Sequence, residues 1–341
     1  MPKRLQLGKL SPETLQRVIY TRLGVRDPRV LVGPKIGEDA AVIDMGPKVL
    51  VVHSDPISGA TENLGWLAVN VAANDVATRG AKPRWCSLVL FLPEDASLDL
   101  LETVMNQVDE AAIAIQASVV SGHTEVTPGL RRPIAACTCM GEAPRDRFIT
   151  TSGARRGDAI IMTKGAAIEG TAILAAEFTD RLEPLIGKPT VEAAKRFVRK
   201  VSVVRDALTA VEAGGVTAMH DATEGGLLGG LYEMAYASRL GIRASCEKVL
   251  VAPETKAVCE AVGVDPLRTI SSGTLLIAAK GEKADEVIYA LRQADVEASN
   301  IGSFVDRTEG VKMTMPDGSV VDVSTPVQDE LWRLISRSEW A

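Results

Sequence analysis

Short apolar segments that favour strands alternate with longer helical segments along the chain, and this alternation most constrains the fold. A buried strand is predicted over 48–54, a helix over 64–78 and another strand over 85–92. With 46% hydrophobic residues among 341, the chain can bury a substantial core. Alternation of this kind is typical of structures in which helices cover a sheet. We therefore predict an α/β (α+β) fold.

A turn-rich segment, Ser152–Asp158, separates two halves that show the same alternation. The second half begins with a strand predicted over 159–163 and continues with one long helix over 191–213. It ends with a strand-like segment over 311–323 and a final helix over 327–335. We predict two domains, 1–151 and 152–341.

Three acidic segments follow or interrupt apolar stretches in the first half. They are Gly37–Val42, His53–Asp55 and Asn74–Pro83. Carboxylates at the ends of buried elements are costly unless a cation neutralises them, and Mg²⁺ is a common solution. Proteins hold ATP through Mg²⁺ bound by one or two carboxylates, with water and phosphate completing its shell. A single aspartate there is usually a turn former or a helix cap, so the prediction of a Mg²⁺ and ATP site depends on the combination.

A glycine-rich turn, Asp221–Gly230, precedes a predicted helix in the second half. Backbone N–H groups in such a turn can approach an anion at the positive end of the helix dipole. Glycine pairs are more often turns or close helix contacts, and no Gly-Lys-Ser/Thr follows, so the segment is not a P-loop. The turn is a candidate for the phosphate or acceptor side of the site.

Composition and patterning argue against several other classes of protein. The net charge of −6, the lack of a basic run and the 4% aromatic content argue against a nucleic-acid partner. The longest apolar runs are too short for a membrane span, and the N-terminus has no apolar core of signal-peptide length. Five unevenly spaced cysteines do not indicate a disulfide framework. We expect a cytoplasmic protein.

Taken in order, the segments resemble the superfamily of aminoimidazole-ribonucleotide (AIR) synthetase, thiamine-monophosphate kinase, selenophosphate synthetase and the hydrogenase-maturation protein HypE. Gly37–Val42 is similar to its Gly-Asp-Asp-Ala-Ala-Val, and Asn74–Pro83 to its Asn-Asp-x-Ala-x-x-Gly-Ala-x-Pro. Gly122–Glu125 falls on its Gly-Asp/Glu-Thr, and Gly153–Asp158 is similar to its Gly-Ala-x-Pro-Gly-Asp. Asp221–Gly226 resembles the Asp-Ala-Thr-Arg-Gly-Gly of the HypE branch. The resemblance covers nearly the whole chain.

This resemblance implies a two-domain PurM-like fold, in which the N-terminal domain forms a dimeric β-barrel with a second copy and the C-terminal domain is α/β. It also implies that ATP and Mg²⁺ bind in a cleft near the dimer interface, and that an acceptor oxygen is activated by phosphoryl transfer. The metal ligands it implies are Asp39, Asp55 and Asp75. The catalytic residues it implies are Asn74, Asp75, Glu125 and Glu224. The nucleotide-binding residues it implies are Gly37, Asp39, Asp55, Thr124, Gly225 and Gly226.

The chain departs from the HypE pattern at several places. It ends at Ser338–Ala341, where HypE ends in Pro-Arg-Ile-Cys; Glu224 replaces an arginine, Ser272 a glutamate and His123 an acidic residue. Because Ala341 offers no nucleophilic side chain, we expect no carbamoyl transfer to it. A non-catalytic ATP-binding paralogue acting as a maturation or scaffold partner is one alternative, and a thiamine-monophosphate kinase or AIR synthetase is another. The acceptor, a small molecule or a protein, stays open.

Overall fold

The computed structural model describes residue 5 and residues 8–335, and the predicted C-terminal feature at 338–341 lies outside them. Six strands form the first sheet, in the order β1-β2-β3-β6-β4-β5. Only β4 and β5 are parallel neighbours in it. The strands are β1 (Val30–Val32), β2 (Ala41–Asp44), β3 (Lys48–Ile57), β4 (Lys82–Leu92), β5 (Ser118–Val126) and β6 (Ile134–Pro144).

Seven strands form the second sheet, in the order β13-β12-β9-β11-β7-β10-β8. Its only parallel neighbours are β9 and β12. The strands are β7 (Ala159–Thr163), β8 (Val216–Ala222), β9 (Gly241–Ser245), β10 (Thr274–Ala279), β11 (Ala298–Val305), β12 (Val311–Thr314) and β13 (Val320–Asp322). The predicted mixed α/β architecture with two halves is confirmed. The boundary at 151/152 lies between the two sheets and stays a prediction, as does the dimeric barrel.

Eleven α-helices accompany the sheets in the described residues, and none of them is long and apolar enough to cross a membrane. They are α1 (Pro12–Thr14, continued by a π-helical turn over Leu15–Ile19), α2 (Leu64–Thr78), α3 (Leu98–Ile115), α4 (Ile168–Glu177), α5 (Thr179–Ile186), α6 (Lys188–Lys195), α7 (Val204–Ala213), α8 (Gly226–Ser238), α9 (Pro253–Val262), α10 (Ala284–Gln293) and α11 (Glu330–Ile335).

Helix α2 is the central element, because every one of its residues is buried. It packs against β3, β6 and α3 of the first half and against α7 and β8 of the second. A helix that is hydrophobic on all sides is typical of such a position between two layers. Its last turn therefore lies at the junction of the two sheets, where the acidic residues collect.

The single helix predicted over 191–213 is wrong. The structure has α6, a 3₁₀ turn over Arg196–Lys200 and then α7, with an irregular segment at 201–203 between them. The β-branched residues of this segment favour helix weakly. The side chain of Asn74 bonds to the backbone of Val201 and Val203, which holds the break in place. The segment over 311–323 is likewise two strands, β12 and β13, and the final helix begins at Glu330.

Gly65 allows α2 to approach α3 closely, since a Cβ atom there would collide with the carbonyl oxygen of Val104. We expect Gly65→Ala to lower the free energy of unfolding by roughly 2 kcal/mol or more, because an overpacked core must shift its backbone. Urea denaturation measures this. The control is Gly33→Ala, whose Cβ would meet only Val30 at 3.4 Å. Equal stability of Gly65→Ala and wild type would contradict the close packing of α2.

Candidate functional site

Two elements of the first half bring acidic side chains to the same place. On β3, side chains of alternate residues share a face, so His53 and Asp55 both point towards α2. Asp75 lies in the last turn of α2, and His53 Nε2 is 3.6 Å from a carboxylate oxygen of both Asp55 and Asp75. These three residues form a group whose candidate ligand atoms all lie within 4.8 Å of one another.

A second group adds residues from two other parts of the chain. Asp39 lies in the loop before β2, and Asp221 lies near the end of β8 in the second sheet. Asp39, Asp75 and Asp221 each offer a carboxylate oxygen, and these oxygens also lie within 4.8 Å of one another. Asp75 belongs to both groups, so four aspartates and His53 form one continuous site, hereafter the carboxylate cluster.

Buried cations hold one side of the cluster. Arg79 is fully buried, and its Nη2 lies 3.5 Å from Asp39 and 3.2 Å from Glu38. The ring of His220 lies between two carboxylates, with Nδ1 2.5 Å from Asp39 and Nε2 2.9 Å from Glu233. Lys9 then reaches Glu233 at 2.6 Å. Asp39 is thereby fixed in position by charge-assisted bonds.

These neighbours shift the pKa values of the buried groups in opposite directions. Although burial opposes ionisation, the positive charges of His220 and Arg79 hold the pKa of Asp39 below its usual value. Burial opposes the charge of His220 too, but Asp39 and Glu233 raise the pKa of its ring well above the usual value. This side of the cluster is therefore an ionised network.

The other side of the cluster is compensated more weakly, because the His53 ring lies 3.6 Å from Asp55 and Asp75, beyond hydrogen-bond distance. Burial, followed by the charges of Asp221, Asp55 and Asp39, raises the pKa of Asp75 well above its usual value. Burial and the charge of Asp39 raise the pKa of Asp221 to about 7. One buried carboxylate oxygen of Asp75 and one of Asp221 have no hydrogen-bond partner among the described residues. Such oxygens fit a hard divalent cation, which prefers oxygen ligands.

The structure places Asn74 away from the open carboxylates. Its Nδ2 donates to the Val201 carbonyl at 2.8 Å, and its Oδ1 accepts from the Val203 N–H at 2.8 Å. Both ends of the amide are thus occupied in joining α2 to the break between α6 and α7. A structural role accounts for these contacts, and the predicted catalytic role of Asn74 stays a prediction.

Glu125 and Thr124 are not brought to the cluster within one chain. Both lie on β5, an exposed edge strand three strands from β3, which is roughly 14 Å at normal strand spacing. Glu125 is paired with Phe91 on the outer face of the sheet, whereas Asp55 faces α2. Its carboxylate instead bonds to His123 at 3.1 Å. The predicted catalytic and nucleotide-binding roles of these two residues stay predictions.

Close backbone packing accounts for glycine at positions 37 and 226, two of the predicted nucleotide-binding residues. A Cβ at Gly37 would lie 2.8 Å from the Glu233 carbonyl oxygen, so this glycine lets the Asp39 loop pack on α8. At Gly226 it would lie 2.6 Å from a backbone oxygen of Thr269. These contacts are sufficient to explain why both positions are glycine, whether or not a nucleotide binds there. The predicted nucleotide-binding roles of the two glycines stay predictions.

The start of α8 is occupied by side chains of the protein. The N–H of Gly225 donates to the carboxylate of Asp329 at 2.7 Å. Glu224 accepts a hydrogen bond from the backbone N–H of Lys9 at 2.7 Å and is not among the clustered carboxylates. Access of a phosphate to the Gly225 N–H therefore requires displacement of Asp329. The roles predicted for Glu224 and Gly225 stay predictions.

Sequence reasoning missed Asp221, His53, His220 and Arg79 as members of the site. Asp221 is the first residue of the segment Asp221–Gly226, in which binding roles were predicted for Gly225 and Gly226 and not for the carboxylate. The available signal was the same as for Asp55: an aspartate near the end of a buried strand.

Comparison with known proteins identifies the family. The sequence profile of the AIR synthase related protein N-terminal domain matches residues 37–143, and that of the C-terminal domain matches residues 155–313. A Methanocaldococcus jannaschii protein, provisionally named as a hydrogenase expression/formation protein, is 30% identical over 96% of this chain and 97% of its own. The chain belongs to the AIR synthase related family. In this AIR synthase related protein, Asp39, Asp55 and Asp75 lie in the first matched region and Asp221 in the second.

Two further relatives place this family member near HypE. The carbamoyl dehydratase HypE of Escherichia coli is 30% identical over 81% of this chain and 83% of its own. A crystal structure of the hydrogenase maturation protein HypE in complex with ATP superimposes with a TM-score of 0.72, at 24% identity, over 96% of this chain and 98% of that one. The PurM-like fold that the resemblance implied is therefore confirmed.

The uncompensated carboxylates predict an unusual pH dependence of stability. The folded pKa values of Asp75 and Asp221 are raised, that of Asp221 to about 7, so the folded state holds more protons than the unfolded state above about pH 4. Their contribution to stability is therefore complete below about pH 4 and is lost as the pH rises through the folded pKa values, which for Asp221 is about 7. In EDTA we expect Asp75→Asn to be more stable than wild type at pH 8 by about 1–3 kcal/mol.

Urea denaturation at pH 5 and pH 8 measures this difference. It should shrink towards pH 5, because the raised pKa of Asp75 favours its neutral form in the folded wild type as the pH falls. Asp44→Asn is a matched control, because Asp44 lies on β2 and pairs with Arg145 outside the cluster. Asp75→Asn protein that is less stable than wild type at pH 8 in EDTA would contradict the repulsion.

Proposed function

We propose that this protein is an ATP-dependent enzyme that transfers a phosphoryl group to an acceptor oxygen. In this proposal Asp39, Asp55, Asp75 and Asp221 hold Mg²⁺ against the phosphates of ATP. The observation that carries it is the pair of buried carboxylate oxygens, one on Asp75 and one on Asp221, that accept no hydrogen bond from the described residues. When bound, Mg²⁺ would neutralise these carboxylates and withdraw charge from the phosphates.

The protein's own residues supply orientation and positive charge. Arg79 and His220 fix Asp39, so one ligand is already in place before a cation arrives. Burial opposes the charge of His53, but the neighbouring Asp55 raises the pKa of its ring above the usual value. A proton held on His53 Nε2 would add a positive charge for an incoming phosphate.

The names of the relatives support an oxygen acceptor of the amide or carbonyl type. One is called a carbamoyl dehydratase, and removal of water from a carbamoyl amide requires its oxygen to become a leaving group. In the reaction we propose, the acceptor oxygen attacks the γ-phosphorus of ATP and ADP departs. The C–O bond then breaks to release inorganic phosphate as the amide nitrogen loses its protons.

Glu169 is a candidate base for those protons. Burial raises its pKa to about 7, a value that suits proton transfer near neutral pH. It lies in the first turn of α4, and one of its carboxylate oxygens has no hydrogen-bond partner among the described residues. Ser272, which occupies the place of a glutamate in HypE, lies near enough to oppose this rise in the pKa of Glu169, and its hydroxyl makes no hydrogen bond to the described residues.

A non-catalytic ATP-binding scaffold is the second candidate. The changes at His123, Glu224 and Ser272 favour it, whereas the intact carboxylate cluster favours catalysis. Turnover of ATP with Mg²⁺, measured on purified protein with and without cell extract, separates the two. Assays with thiamine monophosphate and with the AIR synthetase substrate test the remaining alternatives. The cytoplasmic location stays a prediction.

We expect Asp221→Asn to weaken binding of Mg²⁺·ATP at least about tenfold, or ~1.4 kcal/mol, because it removes a charged ligand. Asp75→Asn should do the same. Isothermal titration calorimetry with a non-hydrolysable ATP analogue measures the affinity, and Asp44→Asn should bind like wild type. If Asp221→Asn binds Mg²⁺·ATP with unchanged affinity, Asp221 is not a ligand.

We further propose a homodimer formed through the first sheet. No strand among the described residues covers the outer edge of β5, whose nine residues are all exposed. Val119, Val120 and Val126 on this strand are at least 43% exposed. A long, apolar, unpaired edge strand is a ready site for pairing with a second copy.

We expect wild type to be a dimer at micromolar concentration and Val89→Glu to be a monomer. Val89 lies on the half-buried outer face of β4, beside β5 and β6. In the proposed dimer the first sheet of the other copy would cover this face, so a charge at this position would be desolvated. Light scattering gives the mass, and Leu98→Glu, on the exposed start of α3, serves as the control. A monomeric wild type would contradict the proposal.

A further inference from the structure

A large cavity lies away from the carboxylate cluster, at the C-terminal end of α8. Its volume is about 810 Å³, within the range of small-molecule sites. Its walls come from α8, the π-helical turn after α1, the loop before Asp39 and the edge of the second sheet. Among the clustered residues, neither Asp55 nor Asp75 nor Asp221 lines it. We call it the tyrosine cavity, lined by Tyr20, Tyr232, Tyr236, Lys35, Arg239 and Arg307.

Three cationic side chains surround the cavity without a carboxylate partner. Lys35, Arg239 and Arg307 form no ion pair with any residue in the described part of the chain, whereas Arg243 at the neighbouring sheet edge pairs with Glu309. The acidic residue at the wall, Glu38, is already bonded to Arg79 and to Ser152. The cavity therefore has a surplus of positive charge and would attract an anion.

Aromatic side chains are concentrated here. The chain has four tyrosines, and three of them line this cavity. The rings of Tyr232 and Tyr236 lie 5.9 Å apart at 42°, and Gln16 donates a hydrogen bond to the hydroxyl of Tyr236 at 3.3 Å. In a chain with 4% aromatic residues, this grouping offers flat surfaces against which a ring can pack.

The end of α8 places the side chain of Arg239 at the wall of the cavity. Arg239 ends α8 with φ at +58°, in the left-handed region where glycine is the usual residue. Glycine could end the helix in the same conformation with less steric strain, because it has no Cβ atom. Arginine at this position instead presents a guanidinium, the group best suited to bind phosphate through paired hydrogen bonds.

We propose that the tyrosine cavity binds a small aromatic phosphate ester at a site separate from the carboxylate cluster. The tyrosine rings would pack against the aromatic group, and Lys35, Arg239 and Arg307 would bind the phosphate. This chemistry does not require Mg²⁺, because the protein supplies the positive charge itself. Binding here should therefore persist in EDTA, unlike the proposed binding of ATP at the cluster.

The test uses the full-length protein in EDTA and the fluorescent probe 1-naphthyl phosphate. We expect a dissociation constant below about 1 mM, and binding of 1-naphthol at least about tenfold weaker. Arg239→Gly should weaken binding of the probe at least about fivefold, because a phosphate-binding guanidinium is lost. The melting temperature should not fall, because glycine suits the left-handed backbone. Arg307→Ala should weaken it similarly. Arg131→Ala, in the exposed loop between β5 and β6, should bind like wild type.

Three results would overturn the proposal. One is the absence of probe binding at 1 mM, and another is an unchanged affinity in both Arg239→Gly and Arg307→Ala. The third is displacement of the probe by Mg²⁺·ATP in wild type together with loss of probe binding in Asp75→Asn, which would assign the probe to the carboxylate cluster. Retained binding in Asp75→Asn supports a separate cavity even if the proposed ATP-dependent function fails.

Discussion

Repulsion among buried aspartates is the constraint on which the rest of this structure depends. Four carboxylates from β3, α2, β8 and the loop before β2 meet at the junction of the two sheets. Arg79 and His220 neutralise the side that includes Asp39, and the unpartnered oxygens of Asp75 and Asp221 leave the other side open. A fold optimised for stability alone would not keep this arrangement, whereas a site that receives a cation requires it.

Helix α2 shows how the fold holds that site in a fixed geometry. It is buried on all sides, so both sheets determine its position. Asn74 uses both ends of its amide to join the helix to the 201–203 segment, and the next residue, Asp75, carries the carboxylate that belongs to the cluster. Asn74 is thus a structural connection between the two halves, and its predicted catalytic role stays a prediction.

The positions of Asp55 and Asp75 in the fold follow from local periodicity, whereas their roles as metal ligands stay predictions that the family resemblance implies. Asp55 is placed by the alternation of side chains along a strand, and Asp75 by a helix that ends at residue 78. The same local signal marks Asp221 near the end of β8, but its approach to Asp75 depends on how two separate sheets pack, which no local pattern predicts. Glu125 failed to join them within one chain for a related reason: β6 pairs between β3 and β4, and this order leaves β5 at the edge. No local pattern in residues 118–126 encodes that order.

The docking of the N-terminal segment has a consequence for synthesis of the protein on the ribosome. Lys9 is made well before its partners, because its contacts are with Glu224 and Glu233, more than 200 positions later in the chain. Domains generally fold as units from the N-terminus during synthesis. A nascent first half would therefore carry Asp39, Asp55 and Asp75 without His220 or Asp221. Completion of the site is thus a late event, coupled to release of the second half, and a partly made chain would lack the intact binding centre.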